Sequence, residues 1–419
     1  MSDVEEVLPE VPEPARQPAG ELWDALPPAL RSELDTLLPA GGGALKEVLG
    51  LILDQYQPVW GEKRRIAVVG PANAGKSTLY NQLIARDADR AEVSPVPGTT
   101  RARQESDAGL FVIIDTPGAD AVGAVGERER EIAFRAAAGA DFLVVLFDAA
   151  QGIRQAERDL FDDLVVLARP YVVVLNKMDL IDKRDREAVV EAAAHNLGLA
   201  PFQLIQTVAT EGENVERVVL DIVRIEPALA AILAEVLPQY QAKIAWQRVA
   251  AAAGAAGVIG LTPLPLADVI PLLTIQVGLV LSLARIYGLR ITAGRARELI
   301  GAFGAGLLGR AAFRQLAKLG GVPGWVLAAA VAAATTAALG YGTMLWFAHG
   351  EKPTRETLQR VTDRIAQRLR ARLLRLGEAR PEKQSLRARI AEAVADLRGE
   401  LEEDAAAPDL AAAGDEQGA

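Results

Sequence analysis

Apolar residues follow different rhythms in different parts of this chain. Between Arg65 and Ile225 they come as short continuous runs at 66–69, 110–114, 142–147, 171–175 and 202–208. Runs of that length without polar alternation read as strands buried on both faces of a parallel sheet. Helical stretches at 76–85, 127–138, 154–167 and 184–197 fall between most of them. The alternation predicts an α/β domain over 64–225 with a mostly parallel, doubly wound sheet.

Beyond 225 the rhythm becomes helical, so the chain is expected to continue as an all-α apolar domain over 227–403. Residues 227–253 read as one helix, and charge is then absent from 249–267, from 269–284 and from the 32 residues between Lys318 and Glu351. Within the last stretch, 322–347 is longer than the roughly 20 residues that span hydrocarbon. It is also rich in Ala, which a soluble helical core accommodates. Pro263, Pro265 and Asp268 split the first stretch into two helices meeting at a bend. An amphipathic helix follows Glu351, with Leu358, Val361, Ile365, Leu369, Leu373 and Leu376 on one side and Arg360, Arg364, Arg368 and Arg372 on another. That arginine face suits anionic lipid or an acidic partner, and equally a solvated face whose leucines pack on a bundle. Pro381 separates it from a second helical piece at 385–403.

The ends carry no such rhythm. Pro9, Pro12, Pro14 and Pro18 interleave with acids, so 1–20 reads as a disordered tail, as does the Ala/Asp/Glu stretch 404–419. Short helices are expected within 21–60 on either side of the glycines at 41–43.

Composition narrows the chemistry. Half of the 419 residues are hydrophobic but only 5% are aromatic, which favours helix. A net charge of −10 argues against nucleic acid as a partner of the whole molecule. The absence of Cys excludes disulfides, a cysteine-ligated zinc and a thiol nucleophile. His195 and His349 are assigned no chemical role. The acidic start lacks the basic and apolar regions of a signal peptide, so a cytoplasmic location is expected.

Gly70-Pro71-Ala72-Asn73-Ala74-Gly75-Lys76-Ser77 fits G-x-x-x-x-G-K-[ST] between an expected strand and an expected helix. Small residues let the backbone curl around a phosphate, with the helix N-terminus facing it and Ser77 and Thr78 on its first turn. Lys76 would reach the β and γ oxygens, and Ser77 would offer a hydroxyl to Mg²⁺. Asp115-Thr116-Pro117-Gly118 closes the run 110–114, where a carboxylate can hold Mg²⁺ and the Gly118 amide can sense a γ-phosphate. Asn176-Lys177-Met178-Asp179 closes the run 171–175. Asp179 can accept from N1–H and the exocyclic amine of guanine; adenine offers an acceptor at N1 and no such amine.

These segments, together with Pro97-Gly98-Thr99-Thr100-Arg101, resemble the first four motifs of a TrmE/Era/EngA-type GTPase, over about two fifths of the chain. The resemblance implies a P-loop GTPase domain with GTP or GDP and Mg²⁺ as ligands. It implies that Thr100, with Thr99 beside it, ligates Mg²⁺ in the triphosphate state, and that Lys76, Thr100 and Gly118 serve hydrolysis. The fifth motif, usually Ser-Ala-x, reads Val208-Ala209-Thr210; Ala209 keeps the amide that meets the guanine carbonyl. Ala119 stands where Ras-like enzymes carry a water-orienting glutamine, so intrinsic hydrolysis is expected to be slow. Asn73 occupies the position that binds K⁺ in such relatives; here it either holds K⁺ or caps the loop.

The segment 249–288, with Thr262-Pro263-Leu264-Pro265-Leu266-Ala267-Asp268 at its centre, resembles the domain of unknown function of YcjF-like membrane proteins. That resemblance implies contact with membrane lipid or a membrane protein. The basic residues of 285–318 and of the tail helix both belong on the cytoplasmic side by the positive-inside rule, favouring re-entrant hairpins or a bundle lying on the membrane over two plain spans. The leading expectation is a GTP-hydrolysing switch with a membrane-associated helical domain. The alternatives are a dynamin-like remodeller that forms a GTP-dependent dimer, and an RNA- or ribosome-associated factor.

Overall fold

The computed structural model describes residues 64–84, 104–105, 110–116, 134–260, 269–289, 323–350, 353–375 and 382–401. The expected N-terminal helices, both tails, the bend at 261–268, the basic stretch 290–318, Leu376 and Pro381 lie outside them. The chain divides into two compact units: among the described residues, one takes those up to Gln247 together with Arg285–Gly288, and the other takes Arg248–Ala284 and those from Leu289 onward.

The first unit is built on a six-stranded sheet. Its strands are β1 (Ile66–Pro71), β2 (Gln104–Glu105), β3 (Phe111–Thr116), β4 (Phe142–Asp148), β5 (Tyr171–Asn176) and β6 (Leu204–Gln206), in the order β2-β3-β1-β4-β5-β6. All pairings are parallel except the edge pairing of β2 with β3. β1 and β4 show why the apolar runs lack alternation: Ile66–Val69 and Phe142–Phe147 are buried on both faces. Gly70 is required by close approach, because a Cβ there would stand 2.1 Å from the carbonyl oxygen of Leu146 on β4.

Helices α1 (Lys76–Leu83), α2 (Gln155–Val166), α3 (Arg186–Leu197) and α4 (Val215–Ile225) flank this sheet. α1 buries Leu79, Tyr80 and Leu83, and the Tyr80 ring stands edge-on to Phe111 of β3 with centroids 6.1 Å apart. α2 is anchored by Phe161 between Phe147 and Tyr171. α4 turns Val215, Val218, Val219, Ile222 and Val223 inward, a helical stripe of β-branched residues.

The structure departs from two sequence expectations, and proline explains both. The strand expected over 202–208 is only β6, because Pro201 opens a single 3₁₀ turn that leaves Phe202 78% exposed. The helix expected over 227–253 is interrupted: 3₁₀ turns at Pro227–Leu229 and Pro238–Tyr240 bracket α5 (Ala230–Val236) before α6 (Gln241–Ile259) begins. Leu237, at φ −120° and ψ 67°, is pushed out of the helical region by the proline that follows it.

The second unit contains α6 from Arg248 onward, α7 (Val269–Ile286) up to Ala284, α8 (Gly324–His349), α9 (Arg355–Leu374) and α10 (Lys383–Ala395). α8 is apolar all round and buried on most sides, including Val326, Ala329, Ala333, Ala337 and Gly340, so it is the core of this bundle. It is also long and apolar enough to cross a membrane. Glycines at every third position bring α6 close to its neighbours. A Cβ at Gly254 would lie 2.6 Å from the Arg387 carbonyl oxygen, at Gly257 2.5 Å from Ile390, and at Gly260 2.7 Å from the Ala328 carbonyl oxygen.

α9 opens with Thr354, whose hydroxyl accepts from the Thr357 amide at 3.1 Å. Its Leu358, Ile365, Leu369 and Leu373 are buried, as the periodicity predicts. The arginine row is less open than the sequence suggests: Arg368 meets Glu400 at 2.9 Å and Arg372 meets Asp396 at 2.7 Å.

Candidate nucleotide-binding site

The candidate residues gather at the carboxyl ends of adjacent strands. Gly70 on β1 is in register with Asp115 on β3, and Asp148 on β4 is in register with Asn176 on β5. The order of strands reverses at β1, which is where a doubly wound sheet opens a crevice for ligands.

The loop from β1 to α1 is shaped by left-handed backbone at Asn73 (φ 63°) and Gly75 (φ 100°). Gly75 caps α1 with no side-chain hydrogen bond, so the first amides of the helix have no side-chain cap. Lys76 is 3% exposed, and its Nζ donates to the carbonyl oxygens of Gly70 at 2.9 Å and Pro71 at 2.7 Å. The ammonium therefore sits over its own loop, where an entering phosphate would meet both it and the helix amides. Ala74 is buried, Ser77 and Thr78 are half-buried on the first turn of α1, and Asn73 is exposed. The Asn73 side chain bonds to no described residue, which gives the capping reading no support.

Asn176 holds the site together. Its buried carboxamide donates from Nδ2 to the Ala74 carbonyl oxygen at 3.0 Å, and its Oδ1 accepts from the Thr207 hydroxyl at 3.1 Å and the Ala209 amide at 3.0 Å. One side chain thus joins the phosphate loop to the loop after β6. The fit leaves no room for a larger residue at Gly75, where a Cβ would stand 2.3 Å from Asn176 Nδ2. Lys177 follows in left-handed backbone at φ 64°, and Asp179 lies exposed in the single turn Met178–Leu180.

The loop 208–213 departs from the usual serine motif and is held by other contacts. Val208 forms an antiparallel bridge with Glu213, and Gln82 of α1 donates to the Thr210 carbonyl oxygen at 3.2 Å. Hydrogen bonds thus tie Lys76 to Gly70, Asn176 to Ala74 and Ala209, and α1 to Thr210. Asn73 and Gly75 lie in the loop between β1 and α1, Ser77 and Thr78 follow on α1, Lys177 and Asp179 follow Asn176, and Asp115 ends the strand beside Gly70. Thr99, Thr100 and Gly118 lie outside the described residues.

Sequence reasoning missed Thr207, Gln82 and Asp148. Asp148 carried a signal, since it ends an apolar run as Asp115 ends another. Gln82 carried none, because only folding brings α1 to residue 210.

Family comparison agrees with this geometry. Residues 65–177 match the model of a family described as 50S ribosome-binding GTPase, and residues 228–371 match that of a domain of unknown function, DUF697. The first unit carries an Era/EngA-type GTPase domain. A DUF697 domain follows it. The GTPase Der of Thermotoga sp. (strain RQ2) is 34% identical over 198 residues, 44% of this chain and 44% of that protein. The GTPase Der of Akkermansia muciniphila is 34% identical over 219 residues, 47% of this chain and 45% of that protein. The chain therefore spans less than half the length of these relatives. Among solved structures, an Era variant of Aquifex aeolicus bound to GDP·AlF₄⁻ is 26% identical, with a TM-score of 0.33 over 38% of this chain and 56% of that one.

Ser77 lies on the first turn of α1, and Asp115 ends β3 in register with Gly70; a hydroxyl and a carboxylate are residue types whose hard oxygens suit Mg²⁺.

Proposed function

We propose that this chain binds GTP and GDP and hydrolyses GTP as a molecular switch, with its helical DUF697 unit as the responding element. The observation that carries the reading is the Asn176 carboxamide, bonded at once to the phosphate loop at Ala74 and to the base loop at Ala209. A ligand filling this cradle carries phosphates at one end and a base at the other. Asp179 selects guanine because its carboxylate accepts both donors of that ring edge, whereas adenine would leave it unpaired.

In hydrolysis, Lys76 supplies positive charge at the β and γ phosphates, and the amides at the start of α1 orient them. Ser77 and Asp115 would hold Mg²⁺, which neutralises charge on the phosphates when bound. Thr100 is assigned to the same ion, Gly118 to sensing the γ-phosphate and Asn73 to K⁺. Ala119 in place of a water-orienting glutamine makes slow intrinsic turnover the expectation.

Displacement of a fluorescent guanine nucleotide by GTP and GDP but not ATP is the deciding experiment; displacement by ATP with equal affinity overturns the reading. Phosphate release should fall at least a hundredfold in Lys76→Ala, given the several kcal/mol that such charge contributes to phosphoryl transfer. Faster release in K⁺ than in Na⁺ supports the Asn73 assignment, and equal rates refute it.

The proposed place of action is the cytoplasmic face of a membrane. The surplus of arginine along α9 supports contact with anionic lipid. The burial of α8 within its bundle favours docking of a folded unit over insertion of that helix. Flotation of the intact protein with anionic vesicles, in GTP analogue, GDP and no nucleotide, tests this; failure to float in every state removes the membrane. Oligomeric state measured in the same nucleotides tests a GTP-dependent dimer, and co-sedimentation with ribosomes would favour the RNA-associated alternative.

A further inference from the structure

Asp148 is used by nothing in the proposed reaction, yet its surroundings are built around its charge. It ends β4 in register with Asn176, and its side chain is 7% exposed. Oδ1 accepts from the Ala150 amide at 2.9 Å, and Oδ2 accepts from Lys177 Nζ at 2.7 Å. The two strand ends are also joined by the Ala149 amide donating to the Asn176 carbonyl oxygen at 2.9 Å. A carboxylate this deeply buried needs its cation, whereas Lys177, with 30% of its side chain exposed, could reach water elsewhere.

The backbone explains what the pair achieves. Lys177 occupies the left-handed region at φ 64°, a conformation that disfavours a residue with a Cβ. That residue turns the chain out of β5 into the single turn Met178–Leu180, which carries Asp179. Asn176 on one side of Lys177 is fixed by its three hydrogen bonds. On the other side, the Met178 amide donates to the Thr207 carbonyl oxygen at 3.2 Å. The Lys177 side chain is the remaining degree of freedom, and Asp148 holds it.

We propose that Asp148 is a positioning residue for guanine recognition: through Lys177 it fixes the turn that presents Asp179 to the base. The proposal rests on the guanine-nucleotide reading of this site. Charge-assisted hydrogen bonds exceed neutral ones enough that losing this one should speed nucleotide release by roughly tenfold.

The experiment follows dissociation of a fluorescent GDP from the full chain by stopped flow, for wild type, Asp148→Asn, Lys177→Met and the double variant. Asp148→Asn keeps an acceptor for Ala150 but turns an amide donor toward Lys177 in place of the charged acceptor, so the pair is lost and the half-exposed Lys177 turns to water; the nucleotide-free protein should melt close to wild type while release accelerates. Lys177→Met alone should reproduce the faster release, and the double variant should release no faster than Lys177→Met. Unchanged release in both single variants, or effects that multiply in the double variant, would overturn the proposal. Should Lys177→Met unfold because it strands the buried Asp148 carboxylate, Asp148→Asn against wild type still decides, since wild-type release from that variant refutes the role. Wild-type protein that binds no guanine nucleotide would sink the broader functional reading, whereas tight binding without coupling between the two positions would sink only this one.

Discussion

At the scale of single residues, the proposed guanine recognition rests on a few side chains, and Asp179 gives the sharpest test of it. Asp179→Asn should weaken GDP binding by about a hundredfold, because two hydrogen bonds to a charged acceptor are lost. It should favour a xanthine nucleotide, whose 2-oxo group accepts where guanine donates. Competition titrations with guanine, adenine and xanthine nucleotides would read this directly. Gly75 makes a complementary prediction. Gly75→Ala meets both an unfavourable φ of 100° and a Cβ contact of 2.3 Å with Asn176, so the bond to Ala74 should break and GDP should release faster.

In the helical unit, burial raises the pKa of the Asp363 carboxyl, an effect only partly offset by a hydrogen bond with the Gln359 side chain. A carboxyl raised in the folded state destabilises the fold once ionised. The penalty is absent below the ordinary carboxylate range and grows as pH rises through the folded-state value. Asp363→Asn should therefore melt above wild type at pH 7, with the difference shrinking as the pH is lowered into the carboxylate range. Paired melting curves across pH would show it.

At the scale of elements, the two halves of the molecule are held by different means. β1 and β4 pack through β-branched and aromatic residues buried on both faces, so they read directly as apolar runs. α6 packs through an absence of side chain. Gly257→Leu places four carbons where one Cβ would already lie 2.5 Å from Ile390, and overpacking of that kind costs about 1–3 kcal/mol. Thermal or urea unfolding of the variant would measure it. Arg372 and Asp396 make the opposite case. Both are substantially exposed, so Asp396→Ala should cost less than about 1 kcal/mol and less again in high salt, despite the 2.7 Å contact.

The motifs were legible because each combines a strand end with a short chemical signature, as in Gly70 to Ser77 or Asn176 to Asp179. The interruption at Pro238 was a local rule available from sequence, yet the apolar periodicity around it hid the break. The ion pairs of two arginines in the α9 row were not legible, because their partners Asp396 and Glu400 lie past the end of α10, more than twenty residues along the chain.

At the scale of the whole molecule, nucleotide binding should appear as a change in stability. Ligand at a hundred times its Kd stabilises the state that binds it by about 2.7 kcal/mol. Calorimetry with GDP and Mg²⁺ should raise the melting of the GTPase unit; no shift under saturating nucleotide would contradict the proposed site.

By itself, the sequence determined the sheet's runs, the phosphate-loop motif, the Asn176-to-Asp179 motif on which the guanine proposal rests and the apolar character of the second half, because these follow from local patterning and from chemistry held within a few adjacent residues. Tertiary structure alone decided that Asn176 joins Ala74 to Ala209, that Gln82 supports Thr210, that Asp148 holds Lys177 and that α8 lies inside a bundle. Each of those depends on atoms brought together across tens of residues or more. Hydrogen bonds and burial act over a few ångströms of space, and the chain's spacing does not encode which distant residues will share it.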